Sequence, residues 1–64
     1  MKKYTVTSPF VILSTLVIKD DILYAEDKKG LENQYVDIYS PKTRKKLGYM
    51  KKEEFVKNVN ENLT

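Results

Sequence analysis

Residues 10–18, Phe-Val-Ile-Leu-Ser-Thr-Leu-Val-Ile, hold seven apolar side chains and no charge. A stretch this apolar has to be buried, and its β-branched residues favour a strand over a helix. It is too continuous for a strand with one wet face, so it reads as a long central strand, bent at Ser14-Thr15. Pro9 has no amide proton to give a ladder and breaks the sheet just before it. Nine residues are far short of the roughly 20 that a spanning helix requires, so membrane insertion is not expected. Met1-Lys2-Lys3 ahead of the run gives it the outline of an export signal, with Ala25 as a cleavage position. Lys19, Asp20 and Asp21 interrupt the approach to Ala25, and Leu23 is too large for the recognition position before it. The run is therefore expected to be a buried strand of a protein kept in the cytoplasm.

The remaining segments supply partners for that strand. Residues 3–7 alternate and read as a short strand. A tight turn at Lys19-Asp20 or Asp20-Asp21 leads to a returning strand, residues 21–26. Gly30 marks a loop, residues 34–39 alternate cleanly, and Ser40-Pro41-Lys42-Thr43 has the proline position of a type I turn. Residues 46–50 form the last expected strand, with Leu47 and Tyr49 on one face. Gly48 within it points to a bulge or a close backbone approach. From Lys52 the period changes: Phe55, Val56, Val59 and Leu63 make one stripe of a helix over about 52–62, with Glu53 and Glu54 in its first turn. A helix this short is marginal alone and must dock on the sheet.

The 64 residues thus make a single domain of β-rich α+β class. Four to five antiparallel strands form a curled sheet or an SH3-like barrel, with one C-terminal helix. The segment Tyr35–Phe55 resembles the closing hairpin of bacterial SH3-like domains, in which a strand, a turn and a Gly-Tyr-hydrophobic strand precede a helical turn. Gly48, Tyr49 and Met50, then Phe55, carry the likeness, with Tyr35 standing where such domains usually have tryptophan. The resemblance implies that topology and a binding role, with no particular ligand.

Composition narrows the chemistry. With no cysteine and no histidine there is no disulfide, no thiolate metal cluster, no Cys–His pair and no Ser–His–Asp triad. Gly30 and Gly48 are the chain's two glycines, too few for a phosphate-binding loop. Asp20-Asp21, Glu26-Asp27 and Glu53-Glu54 are sequence neighbours, and neighbours on a strand point to opposite faces. They read as turn and helix-terminus residues, and Asp20-Asp21 with Glu26 lacks a calcium-loop spacing. No catalytic residue, metal site or cofactor is expected.

What remains is binding. The net charge is +3, and Lys42, Arg44, Lys45, Lys46, Lys51 and Lys52 fall in one acid-free window. The leading expectation is a protein partner or a homodimer, held through an exposed sheet edge or through Tyr35 and Tyr39. The second is nucleic acid, bound by those six basic residues with Tyr39 and its neighbours as stacking surfaces. Lysine outnumbers arginine eleven to one, which favours the plainer alternative of a solvated turn. Small size without enzyme or export signatures also matches the accessory proteins of phages and mobile elements.

Overall fold

The computed structural model describes residues 1–62. Among them are seven strands and one helix: β1 (Lys2–Val6), β2 (Phe10–Ile12), β3 (Thr15–Val17), β4 (Ile22–Asp27), β5 (Tyr35–Tyr39), β6 (Lys46–Lys51), α1 (Lys52–Lys57) and β7 (Val59–Glu61). Five strands form one antiparallel sheet in the order β6-β5-β4-β1-β7, and β2-β3 form a separate two-stranded ribbon. β6 and β7 are the outer strands and are not paired with each other, so the sheet is open.

The apolar run is a hairpin, not one long strand. Phe10 pairs with Val17, Val11 with Leu16 and Ile12 with Thr15. The reversal falls at Leu13-Ser14, where Leu13 sits at φ 54. That left-handed conformation costs a leucine roughly 1–2 kcal/mol, and no Gly, Asn or Pro marks the turn. Folding back lets Ile12 and Val17 enter the core while Val11 and Leu16 point outward. The ribbon lies over one face of the main sheet.

β4 consequently does not return against the apolar run. It pairs with β1 on one side and β5 on the other. The turn before it uses Lys19-Asp20 as its central residues: the Asp21 amide donates to the Ile18 carbonyl at 3.1 Å, and Asp20 takes φ 76. The Asp21 carboxylate accepts the Ile18 amide at 3.0 Å, so this acidic pair shapes a turn. The β5–β6 loop closes one residue later than a type I turn, with the Arg44 amide donating to the Ser40 carbonyl at 2.9 Å.

The helix is also shorter than its pattern. It ends at Lys57, and Asn58 turns the chain into β7, which pairs with β1 through Val6–Val59, Thr5–Asn60 and Tyr4–Glu61. Of the expected stripe, Phe55 is buried from the helix and Val59 from the strand, whereas Val56 is exposed. Leu63 lies outside the described residues. Val6, Ile12, Val17, Leu23, Ala25, Val36, Ile38, Phe55 and Val59 make the core, with Tyr4, Phe10, Leu47 and Met50 packed around it. Phe55 is its centre: the rings of Tyr4 and Phe10 meet it edge-on at 5.0 and 6.2 Å.

Gly48 shows both features its place in the strand suggested. The β5–β6 register shifts between Ile38 and Tyr39, a bulge that leaves Leu47 against the core and Tyr49 on the opposite face. Tyr49 therefore does not turn inward with Leu47, because the extra residue reverses the alternation. A side chain at position 48 would also meet Ile12 Cγ2 at 2.9 Å and Leu13 Cδ1 at 3.0 Å.

Candidate functional site

The hairpin and helix cover one face of the sheet and leave the other bare. Cross-strand pairing decides what that bare face carries, because directly opposed residues share a side. Lys3 opposes Tyr24, Tyr24 opposes Tyr39, and Tyr39 opposes Lys46. These form one row across β1, β4, β5 and β6, with two tyrosines between two lysines. A second row runs Glu26, Asp37, Tyr49, and a third pairs Tyr35 with Lys51. Four of the five tyrosines thus share the uncovered face. The fifth, Tyr4, points into the core.

The rings and cations on this face touch. Tyr35 and Tyr49 meet edge-on at 5.8 Å. Arg44 reaches over from the β5–β6 loop to place its guanidinium 4.2 Å from the Tyr24 ring centroid, and Lys28 Nζ is 4.7 Å from that of Tyr49. The Asp37 carboxylate, with only 13% of its side chain exposed, receives Lys46 Nζ at 3.0 Å and Lys28 Nζ at 3.5 Å. The hydrogen bond to Asp37 raises the Lys46 ammonium above its ordinary pKa. Among the described residues Arg44 and Lys51 have no acidic partner within 4 Å.

Of the residues singled out in the sequence, Tyr35, Tyr39, Arg44, Lys46 and Lys51 come together here. Lys45 is exposed in the adjoining loop. Lys42 lines a groove of about 620 Å³ at the end of the first row, which Lys3 and Tyr24 also line. Lys52 does not join them: its Nζ lies 2.9 Å from Asp27, on the covered side where Asp27 opposes buried Val36. Tyr24, Lys3 and Lys28 are additions that the sequence reading missed. Alternation in Ile22–Asp27, with Leu23 and Ala25 inward, was the available signal for Tyr24.

The sheet edges are guarded. β6 carries lysines at both ends and a bulge, and β7 is three residues long, both devices that discourage strand addition. No group of three or more metal-ligating side chains lies together among the described residues. No helix there is long and apolar enough to cross a membrane. Comparison with family models, curated proteins and solved structures found no match.

Proposed function

We propose that this chain is a non-catalytic binding module working through the open tyrosine-bearing face, and that the ligand it fits best is single-stranded nucleic acid. The observation that carries the reading is the Lys3–Tyr24–Tyr39–Lys46 row, with the chain's one arginine stacked on Tyr24. Unpaired bases stack on aromatic rings regardless of sequence, and cations beside the rings neutralise the phosphates between them. A flat face of this kind suits a splayed strand better than a duplex, whose base faces are already stacked. We also read the succession of β5, a short loop, β6 with Gly48-Tyr49-Met50 and a helix of six residues as resembling an SH3-like closing hairpin, here on an open sheet.

The test is fluorescence anisotropy of labelled single- and double-stranded oligonucleotides at two salt concentrations. Single strands should bind more tightly, with a log–log salt slope of about −0.7 per phosphate neutralised. Tyr39→Ala should cost about 1–3 kcal/mol of binding. Arg44→Glu with Lys51→Glu should abolish it. Equal affinity in the doubly reversed variant, or no binding by the wild type, refutes the reading. A second reading is favoured by the same tyrosines and Arg44, residue types that dominate protein hot spots: a protein partner anchored on Tyr35 and Tyr39. Its mark would be a shallow salt response and loss on Tyr39→Ala with no dependence on Lys51.

A further inference from the structure

The tyrosines of the open face form two pairs, one at each end of β5. Tyr24 and Tyr39 are directly opposed at its C-terminal end, and Tyr35 meets Tyr49 edge-on at 5.8 Å at its N-terminal end. Tyr35 and Tyr39 are the first and last residues of the strand and share one face, about 13 Å apart. Each pair carries its own cation, Arg44 at 4.2 Å from the Tyr24 ring centroid and Lys28 Nζ at 4.7 Å from that of Tyr49. Each end of β5 also opens into a recess. The groove of about 620 Å³ lies beside Tyr24 with Lys3 and Lys42 in its walls, and a second of about 250 Å³ lies beside Tyr35 with Lys51. The acids that also line them, Asp20 and Asp21 in one and Glu53 in the other, belong to the turn before β4 and to the start of the helix.

Between the two pairs lies Asp37, whose carboxylate holds Lys46 Nζ at 3.0 Å and Lys28 Nζ at 3.5 Å. Two ammonium groups on one carboxylate leave a net positive charge, and each keeps donors for a second anion. Across from Asp37 on β4, Glu26 is exposed and has no cationic side chain within 4 Å among the described residues. Phosphates crossing the middle of the face are therefore drawn to the β6 side, toward Lys46 and Lys28, and repelled from β4. A strand laid only along the Lys3–Tyr24–Tyr39–Lys46 row would leave Tyr35, Tyr49, Lys28 and Lys51 without a role. Given the single-strand reading above, on which this rests, we infer that the bound nucleic acid runs along β5. Its bases stack at two separate stations, Tyr24–Tyr39 and Tyr35–Tyr49, and the phosphates between them lie on Lys28 and Lys46. The ligand is accordingly a single strand of at least about four nucleotides, the lower end of what small single-strand-binding β-folds cover. Two stations engaged by one flexible chain reinforce each other through effective concentration, whereas a piece too short to reach both is held at one.

The experiment is fluorescence anisotropy of the full chain with labelled thymidine di-, tetra-, hexa- and octanucleotides. Affinity should rise by at least about tenfold from the dinucleotide to the hexanucleotide and then level off. Tyr35→Ala with Tyr49→Ala should flatten that rise, so that the hexanucleotide binds within about threefold of the dinucleotide. Tyr35→Phe with Tyr49→Phe keeps both rings and should retain it. Lys51→Ala removes an exposed cation from the second station and should lower the hexanucleotide's log–log salt slope by about 0.7. A wild type that binds none of these oligonucleotides overturns the single-strand reading and this inference together. Binding that does not strengthen with length overturns the inference alone and leaves the strand lying across the first row. So does a rise with length that survives the double alanine variant, or an unchanged salt slope in Lys51→Ala.

Discussion

Replacing Gly48 with alanine tests the packing between hairpin and sheet at one atom. The added methyl would lie 2.9 Å from Ile12 Cγ2 and 3.0 Å from Leu13 Cγ and Cδ1. Ile12 is 1% exposed and β-branched, so its methyl has little room to retreat, whereas Leu13 can swing outward. Overpacking of this kind costs typically about 1–3 kcal/mol. The backbone adds to it, because φ +155 lies in a region that L side chains rarely adopt. Holding alanine there costs of order 1–3 kcal/mol more. The whole domain is worth on the order of 3–10 kcal/mol at this length, so the substitution removes a large share of it. At about 4–8 °C per kcal/mol, circular dichroism should show the midpoint falling by roughly 10 °C or more. Adding Leu13→Ala to the variant removes two of the three close contacts and should restore part of the loss, with the remainder set by Ile12 and φ. A midpoint within about 3 °C of wild type would refute the close approach and the bulge geometry together.

Phe55→Ala empties the centre of the core and should cost about 3–5 kcal/mol, leaving a chain at or near unfolding at room temperature by the same melting assay. Burial first, and the Glu61 carboxylate second, hold the Tyr4 phenol above its usual 10.0. Its neutral form is thus the one the fold prefers: the contribution is fully present below about pH 10 and is lost as pH rises through the raised value. Melting between pH 8 and about 11 should therefore show wild type losing stability faster than Tyr4→Phe at the alkaline end. Lys42→Glu with Lys45→Glu should shift the midpoint by no more than about 0.5 kcal/mol equivalent, since both side chains are exposed loop residues.

Much of the sheet was legible from alternation. β4, β5 and β6 fall within two residues of their expected bounds: β4 and β5 place apolar residues inward at every second position, and the turn at Ser40-Pro41 and the change of period at Lys52 bracket β6. The hairpin was not legible, since Leu13-Ser14 carries none of the residues that announce a two-residue turn. β7 was hidden for another reason: Val59 suits the fourth position after Phe55 on a helix and the inward position of a strand equally well. Only its pairing with Val6, distant in sequence, decides between them. The site followed the same pattern. Tyr35 and Tyr39 share a face by alternation alone, but Tyr24 and Lys3 join them through strand order, which one sequence does not state. Tyr49 moved to that face because a single extra residue at Leu47 reversed the alternation.

The pairing of β1 with β7 also sets when this protein can fold. Thr5 Oγ1 donates to Asn62 Oδ1 at 2.7 Å across 57 residues, and the Asn62 amide donates to the Lys3 carbonyl at 2.8 Å. On a ribosome the β2–β3 ribbon and the β4–β6 meander can close as they emerge, since their partners are neighbours in sequence. β1 is made first, yet one of its two sides waits for residues 59–61. Until then it presents a bare edge, and the buried Val6 lacks Val59. Bringing the two strands together closes a loop that spans the 57-residue separation of Thr5 and Asn62, a step that belongs to the slow end for small domains. The nascent chain therefore carries an open edge beside an uncharged apolar hairpin until residues 59–61 emerge.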